Sequence, residues 1–167
     1  MREIPLSHGL VAIIDDEDYT LVSQYKWNTH PGGRTSYAAR KLWVYGRQTE
    51  QYMHTLITKW KMVDHIDGDG LNNRRVNIRP ATYTQNNRNR RKMLGTSSQY
   101  KGVTWNKPLK LTTSFTCRWR ARIMVDGQMY HLGMFNSEID AALAYDAAAR
   151  EHFGEYAWLN FPDMLVK

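Results

Sequence analysis

Met62-Val63-Asp64-His65-Ile66, followed by Asp67-Gly68-Asp69-Gly70, reads as a short strand running into a tight turn. Val76-Asn77-Ile78-Arg79 then supplies a second short strand, and Thr82 to Met93 a polar, basic helix. Strand, loop, strand and helix thus follow one another within residues 62–93. A unit of this size cannot bury a core alone, so the residues before it are expected to pack against it.

The same window concentrates chemistry. Asp64 is a hard oxygen ligand next to an imidazole, and asparagines at 72, 73, 77, 86 and 87 add neutral oxygens downstream. Arg74, Arg75, Arg79, Arg88, Arg90, Arg91 and Lys92 follow, with no acid between Asp69 and Lys92. Hydrolysis of a phosphodiester needs an activated water and something to hold charge on the leaving 3′ oxygen. A divalent cation performs the second task and an imidazole the first. Neutral histidine accepts a proton near pH 7 because its unperturbed pKa is about 6.5. Consecutive strand side chains point to opposite faces, so Asp64 and His65 share a site only where the strand ends or twists. Asp67 and Asp69 read as turn residues, because the late glutamate of an EF-hand is missing. His54 reads as a packing or capping residue of its helix, and His8, His30 and His152 are isolated.

Bulk properties agree with a polyanionic partner. The 167 residues carry a net charge of +7 with 42% hydrophobic residues, and the pI is near 9.6. This length fits one domain or two small ones. The lone Cys117 excludes an internal disulfide and a CxxC zinc ribbon. No apolar run reaches the roughly 18 residues of a membrane span, and Met1 to Pro5 does not begin a secretory signal. A cytoplasmic location and no membrane association are therefore expected.

Outward from the central window, Leu10 to Asp15 reads as a strand and Asp16 to Tyr25 as a helical turn or two. Arg34 to Val44 reads as a strand, with Gly32-Gly33 and Gly46 as turn signals. Tyr52 to Trp60 fits a short helix with Met53, Leu56, Ile57 and Trp60 on one side. Leu94-Gly95-Thr96-Ser97-Ser98 is a small polar joint, dividing the chain into domains at 1–94 and 98–162.

Beyond the joint, Tyr100 to Asn106, Arg118 to Val125 and Gln128 to Phe135 read as three strands, with Asp126-Gly127 as a two-residue hairpin turn. Asn136 or Ser137 caps a helix running through Phe153, and Gly154 ends it. Six alanines between Ala141 and Ala149 let that helix lie close on a sheet, with Ile139, Leu143 and Phe153 as its larger apolar contacts. Alternation places Arg118, Arg120 and Arg122 on one strand face, and Trp119, Ala121, Ile123 and Val125 on the other. A ribbon carrying an arginine row suits the major groove of duplex DNA.

Val63-Asp64-His65-Ile66-Asp67-Gly68, Leu71-Asn72-Asn73, Val76-Asn77-Ile78-Arg79 and Thr82 to Asn87 resemble the HNH endonuclease family, in the form found in phage and intron-encoded homing enzymes. Val11 to Tyr19 and Met53 to Ile57 resemble the segments that precede this motif. The resemblance covers Gly9 to Lys92. It implies an α+β protein with a ββα-metal core at about 60–93 and single-metal cleavage of a phosphodiester. It assigns Asp64 as a metal ligand, His65 as general base, and Asn77 as the residue that orients the base or braces the loop. Asn86 is the second metal ligand, with Asn87 as the alternative. Many such proteins have histidine where this chain has Asp64 and Asn86. Both replacements keep an oxygen ligand and favour Mg²⁺, or Mn²⁺, over zinc.

Tyr100-Lys101-Gly102-Val103, Trp119-Arg120-Ala121-Arg122-Ile123, Leu132-Gly133-Met134-Phe135, Ala141 to Ala149 and Leu159-Asn160-Phe161-Pro162 resemble the AP2/ERF DNA-binding domain. That resemblance implies a three-stranded antiparallel sheet backed by one helix, reading duplex DNA. Lys101, Trp105, Arg118, Arg120 and Arg122 are the expected contacts, joined by Arg88, Arg90, Arg91 and Lys92 on phosphates. Arg122 stands where the plant pattern has a glutamate and His131 where it has a tryptophan, so the plant target does not carry over. The expectation is a DNA endonuclease, in host-cell cytoplasm if phage-encoded and acting as monomer or dimer. Its rival is a non-catalytic AP2-type regulator with a decayed nuclease half.

Overall fold

The computed structural model describes residues 1–106 and 119–164, which form two compact units, Met1–Asn89 and Arg90–Lys167. Arg118 and Cys117 lie outside the described residues. The described chain is α+β.

In the first unit, β1 (Arg2–Pro5) and β2 (Val11–Ile14) pair antiparallel around a tight connection. Asp16–Asp18 and α1 (Tyr19–Val22) follow as short helical turns. β3 (Asn28–Pro31), β4 (Ser36–Val44) and β5 (Arg47–Tyr52) make an antiparallel sheet in chain order, and α2 (Met53–Thr58) comes directly after it. β6 (Val63–His65) and β7 (Ile78–Pro80) form the two-stranded ribbon of the central window, and α3 (Tyr83–Arg88) closes it.

Apolar residues from these elements share one core: Ile4, Ala12, Ile14, Val22, Trp27, Met53, Leu56, Ile57, Val63 and Ile78 are all buried in it. Burial of each large side chain stabilises by roughly 1.5–3 kcal/mol. Ile14, Trp27, Met53 and Val22 are wholly enclosed, and the Trp27 indole satisfies its N–H on the Val22 carbonyl at 2.9 Å. The central ribbon thus borrows its core from the residues before it. A parallel bridge fixes its loop: Ile13 N–H donates to the Leu71 carbonyl, and Asn73 N–H to the Ile13 carbonyl.

The expected helix over Thr82 to Met93 is corrected to six residues, Tyr83–Arg88. Thr82 caps it through a capping box with Gln85. It stops because Asn89 turns its side chain inward, donating to Asp64 and to the carbonyls of His65 and Ile66. Arg90, Arg91 and Lys92 therefore follow the helix and belong to the second unit.

There, β8 (Val103–Trp105), β9 (Trp119–Val125) and β10 (Gln128–Phe135) form an antiparallel sheet in the order β10-β9-β8. Asp126 and Gly127 both take positive φ in the β9–β10 turn. α4 (Glu138–Phe153), capped by the Ser137 hydroxyl, packs on the sheet through Ala141, Ala142, Tyr145, Ala148, Ala149 and Phe153. Ile139 is 49% exposed, and Tyr145 takes the bulky role expected of it. Asp146 is fully buried and accepts from the backbone N–H groups of Asn160 and Phe161. Asn160 in turn holds both backbone groups of Lys101, which clamps the start of the sheet to the helix.

Candidate active site

Asp64 and His65 sit on β6, paired across the ribbon with Arg79 and Ile78 respectively. Cross-strand partners share a face, so the two side chains alternate, but His65 is the last residue of β6 and the Asp64 charge still acts on its ring. Asp64 Oδ2 accepts from Arg79 Nε at 2.9 Å and Nη2 at 2.7 Å, while Oδ1 accepts from Asn89 Nδ2 at 3.0 Å. The carboxylate is 4% exposed, so this is a buried, hydrogen-bonded ion pair.

The His65 ring lies among polar and aromatic groups. Its Nε2 is 3.3 Å from Asn73 Oδ1. Asn73 donates its own Nδ2 to the Leu71 carbonyl, so the atom facing histidine is the acceptor. Nε2 therefore carries the proton, and Nδ1 keeps the lone pair. Tyr37 packs 5.8 Å from the ring and His54 meets it edge-on at 5.1 Å. His54 itself stacks on Tyr52 at 5.3 Å.

Electrostatics keep both imidazoles neutral. Burial pushes His65 below the ordinary histidine value, against the Asn73 hydrogen bond and the negative charges of Asp67, Asp64 and Asp69. His54 falls further, to about 3, chiefly by burial and secondarily by its neighbour His65. Its Nδ1 is buried without a hydrogen-bond partner among the described residues.

Asn77 braces the loop. It accepts from Asp67 N–H at 3.1 Å and donates to Asp67 Oδ1 at 2.9 Å and to the Asn72 carbonyl at 2.8 Å. Asn72 donates to Asp67 Oδ2 at 2.7 Å. Burial opposes ionisation of Asp67, but the donors from Asp69, Asn72 and Asn77 outweigh it and hold the carboxyl below its usual value. Asn86 donates Nδ2 to the Val63 carbonyl at 3.2 Å, which leaves its Oδ1 as acceptor. His54, Tyr37 and Asn89 were given no part in the site from sequence, and Asn73 and Arg79 only as one of its neutral oxygens and one of its cations. Asn73 and Arg79 lay inside the quoted motif, but the pairings of Asn89 and Tyr37 span 25 and 28 residues of chain.

In the second unit, Arg120 and Arg122 lie across from Thr104 and His131, on the sheet face away from Ala121 and Ile123. Arg120 Nε and Thr104 Oγ1, neighbours there, are buried without hydrogen-bond partners among the described residues. Trp105 is opposite Trp119, with rings 4.7 Å apart, so it shares that residue's face rather than the arginines'. Arg91 stacks over Trp158 at 5.3 Å. Lys92 is pushed below the usual lysine value by burial and donates to the Met93 carbonyl.

A two-stranded ribbon closed by a helix thus carries a buried Asp-His pair braced by asparagines. The chain belongs to the HNH endonuclease family. It is 32% identical over 158 residues, 91% of its length, to an uncharacterized HNH endonuclease of Acanthamoeba polyphaga mimivirus, of which it covers 75%. A stretch of 74 residues, 41% of the chain, is 40% identical to dehydration-responsive element-binding protein 2D of Arabidopsis thaliana and covers 31% of that protein. No family model and no solved structure matches the chain. Among the described residues no helix is long and apolar enough to cross a membrane.

Proposed function

We propose that the chain is a metal-dependent DNA endonuclease of the homing type, with a ββα-metal core and a second unit that holds duplex DNA. The observation that carries this reading is the orientation of His65. Asn73 holds the Nε2 proton and burial keeps the ring neutral, so Nδ1 is a base ready to take a proton from water. The water oxygen bonds to phosphorus as the bond to the 3′ oxygen breaks. The products are a 5′-phosphate and a 3′-hydroxyl. Negative charge from Asp67, Asp64 and Asp69 offsets part of the cost of the imidazolium formed.

The donor set fits a hard divalent cation. Among the described residues no group of three or more His, Cys, Asp or Glu is placed to hold a metal ion together, so an all-protein cage for zinc or calcium is not what supports this reading. Mg²⁺ needs only one or two protein oxygens beside waters and phosphate. A carboxylate has about four lone-pair positions; Arg79 and Asn89 occupy three on Asp64. One position there, with Asn86 Oδ1, would hold Mg²⁺ or Mn²⁺. When bound, that ion would stabilise charge on the leaving oxygen.

The second unit supplies the grip. Arg120 and Arg122 face one side of its sheet, and the similarity of part of the chain to a plant element-binding protein supports duplex DNA as partner. Arg90, Arg91, Lys92 and Lys101 are its candidate phosphate contacts, with Arg88 of the first unit as a further one, and affinity then falls steeply with salt. A single centre nicks one strand as a monomer; a dimer cuts both.

A second reading has one observation in its favour. Asp64 is already neutralised by Arg79, as in a purely structural ion pair, which suits a DNA-binding protein that no longer cuts. Purified protein incubated with duplex DNA from around its own gene, with Mg²⁺ or EDTA, separates the two. Mg²⁺-dependent cuts with 5′-phosphate ends, absent in His65→Ala although binding persists, are the expected outcome. Binding without cutting in the wild type would establish the second reading.

A further inference from the structure

The hairpin of β4 and β5 reaches beyond the core that anchors it. From Trp43 to Glu50 every residue is exposed, and at the tip Trp43 is 74%, Val44 44% and Tyr45 100% exposed. None of the three joins the hydrophobic core. The turn residues Tyr45 and Gly46 have φ of 48° and 73°, the two-residue turn that suits paired strands. A bulky residue at positive φ is uncommon, since asparagine, aspartate or glycine takes that place at lower strain. Fold stability explains neither the exposed aromatic pair nor the tyrosine in that turn. Strain held at an exposed position points to function.

Register shows which way the tip looks. Ala39 pairs with Tyr52, Lys41 with Glu50 and Trp43 with Gln48, and alternate residues share a face. Tyr37, Ala39, Lys41 and Trp43 therefore lie in one row, and the same face carries Tyr52. Tyr37 touches the His65 ring and Tyr52 stacks on His54. The row that ends at the exposed tryptophan thus begins at a tyrosine in contact with the candidate base. Tyr37 and Trp43 are six residue steps apart along the strand, a span of roughly 20 Å. Charge on the arm favours a polyanion: Lys41 and Arg47 are exposed, while its one acid, Glu50, faces His30 at 3.0 Å.

We infer that this arm is a DNA-distorting wedge, with Trp43 and Tyr45 pressed into a groove of the duplex to one side of the cut and Lys41 and Arg47 on flanking phosphates. Apolar side chains inserted at a base step unstack it and kink the helix. With base pairs about 3.4 Å apart, a reach of roughly 20 Å sets the distorted step about six base pairs from the scissile bond. The inference rests on the nuclease reading above for the position of that bond.

Permanganate probing, which marks unstacked thymines, tests it on a duplex carrying a mapped cut, using the full chain with Ca²⁺ in place of Mg²⁺. Reactive thymines are expected about six base pairs from the cut with wild type, absent with Trp43→Ala, and partly regained with Trp43→Phe. Binding should weaken roughly tenfold in the alanine variant while its melting temperature is unchanged. Wild type that cuts DNA yet leaves every thymine stacked, or a reactivity pattern identical in Trp43→Ala, overturns the wedge and leaves the nuclease intact. Absence of DNA binding overturns both. A dimer in sedimentation that Trp43→Ala converts to monomer assigns the tip to a second copy of the chain and also overturns the wedge.

Discussion

Arg79 holds Asp64 through Nε and Nη2 on the same carboxylate oxygen, at 2.9 and 2.7 Å, in a pocket where the side chains are 11% and 5% exposed. Removing one member strands the other as a buried charge, which costs about 3–5 kcal/mol. Replacing both by neutral groups avoids most of that. Arg79→Met is therefore expected to lower unfolding stability by about 3–5 kcal/mol. Asp64→Asn/Arg79→Met should recover a large part of the loss in urea denaturation. A double variant no more stable than Arg79→Met would show that the pair is not the source of the effect.

Asn73 and Asn77 are four residues apart but do different work. Asn73 meets the His65 ring, and Asn77 ties Asp67 to the Asn72 carbonyl. Asn73→Leu removes the acceptor that selects the histidine tautomer, so the turnover number should fall roughly ten- to hundredfold. Its KM for duplex DNA should stay near wild type. Asn77→Leu should chiefly lower the melting temperature. Steady-state cleavage alongside thermal unfolding separates them, and equal effects in both assays would refute the division of labour.

His54 sets an acid limit on stability. Its pKa in the folded protein is lowered from 6.5 to about 3, so the unfolded chain binds the proton first. The contribution is fully present above the unfolded value and is lost as pH falls from about 6.5 towards 3. The slope approaches 1.4 kcal/mol per pH unit. Burial holds His65 down as well, and it adds loss in the same direction. His54→Phe, which keeps a ring against Tyr52, should lose less stability than wild type between pH 7 and 5 in urea titrations. Parallel curves for the two proteins would exclude His54 as the source.

Local signals in the sequence were legible where a single element carried them. Asp126-Gly127 turns a hairpin because both residues accept positive φ, and Ser137 starts α4 because its hydroxyl takes the Asp140 N–H. Strand alternation likewise separated Arg120 and Arg122 from Ala121 and Ile123. What stayed hidden depends on distant contacts. β5 reads Arg-Gln-Thr-Glu-Gln-Tyr, a polar run with no apolar alternation, and forms because β4 offers it an edge. The end of α3 was misplaced because Asn89 looks like a surface residue until Asp64, 25 positions earlier, draws it inward. The pairing of Asp64 with Arg79 was beyond reach for the same reason, since only the β6–β7 register brings them onto one face.

Gly102 provides a last check on the second unit. It holds φ of +77°, and a Cβ built there would stand 1.9 Å from Tyr145, a ring wholly enclosed between α4 and the sheet. Both the backbone conformation and the space demand glycine. Gly102 also accepts the Arg122 N–H at 2.9 Å, so a shift at this turn moves the strand that presents the arginines. Gly102→Ala is expected to cost at least 2 kcal/mol, about 1–2 from the left-handed conformation alone and the rest from displaced Tyr145. DNA affinity should fall with it. Gly127→Ala has positive φ but nothing within 4 Å of the added carbon, so it isolates the backbone part of the cost. Comparing the two by thermal unfolding and filter binding tests the assignment. If Gly102→Ala proved no worse than Gly127→Ala, close packing of Tyr145 on the turn could not be what holds this strand in place.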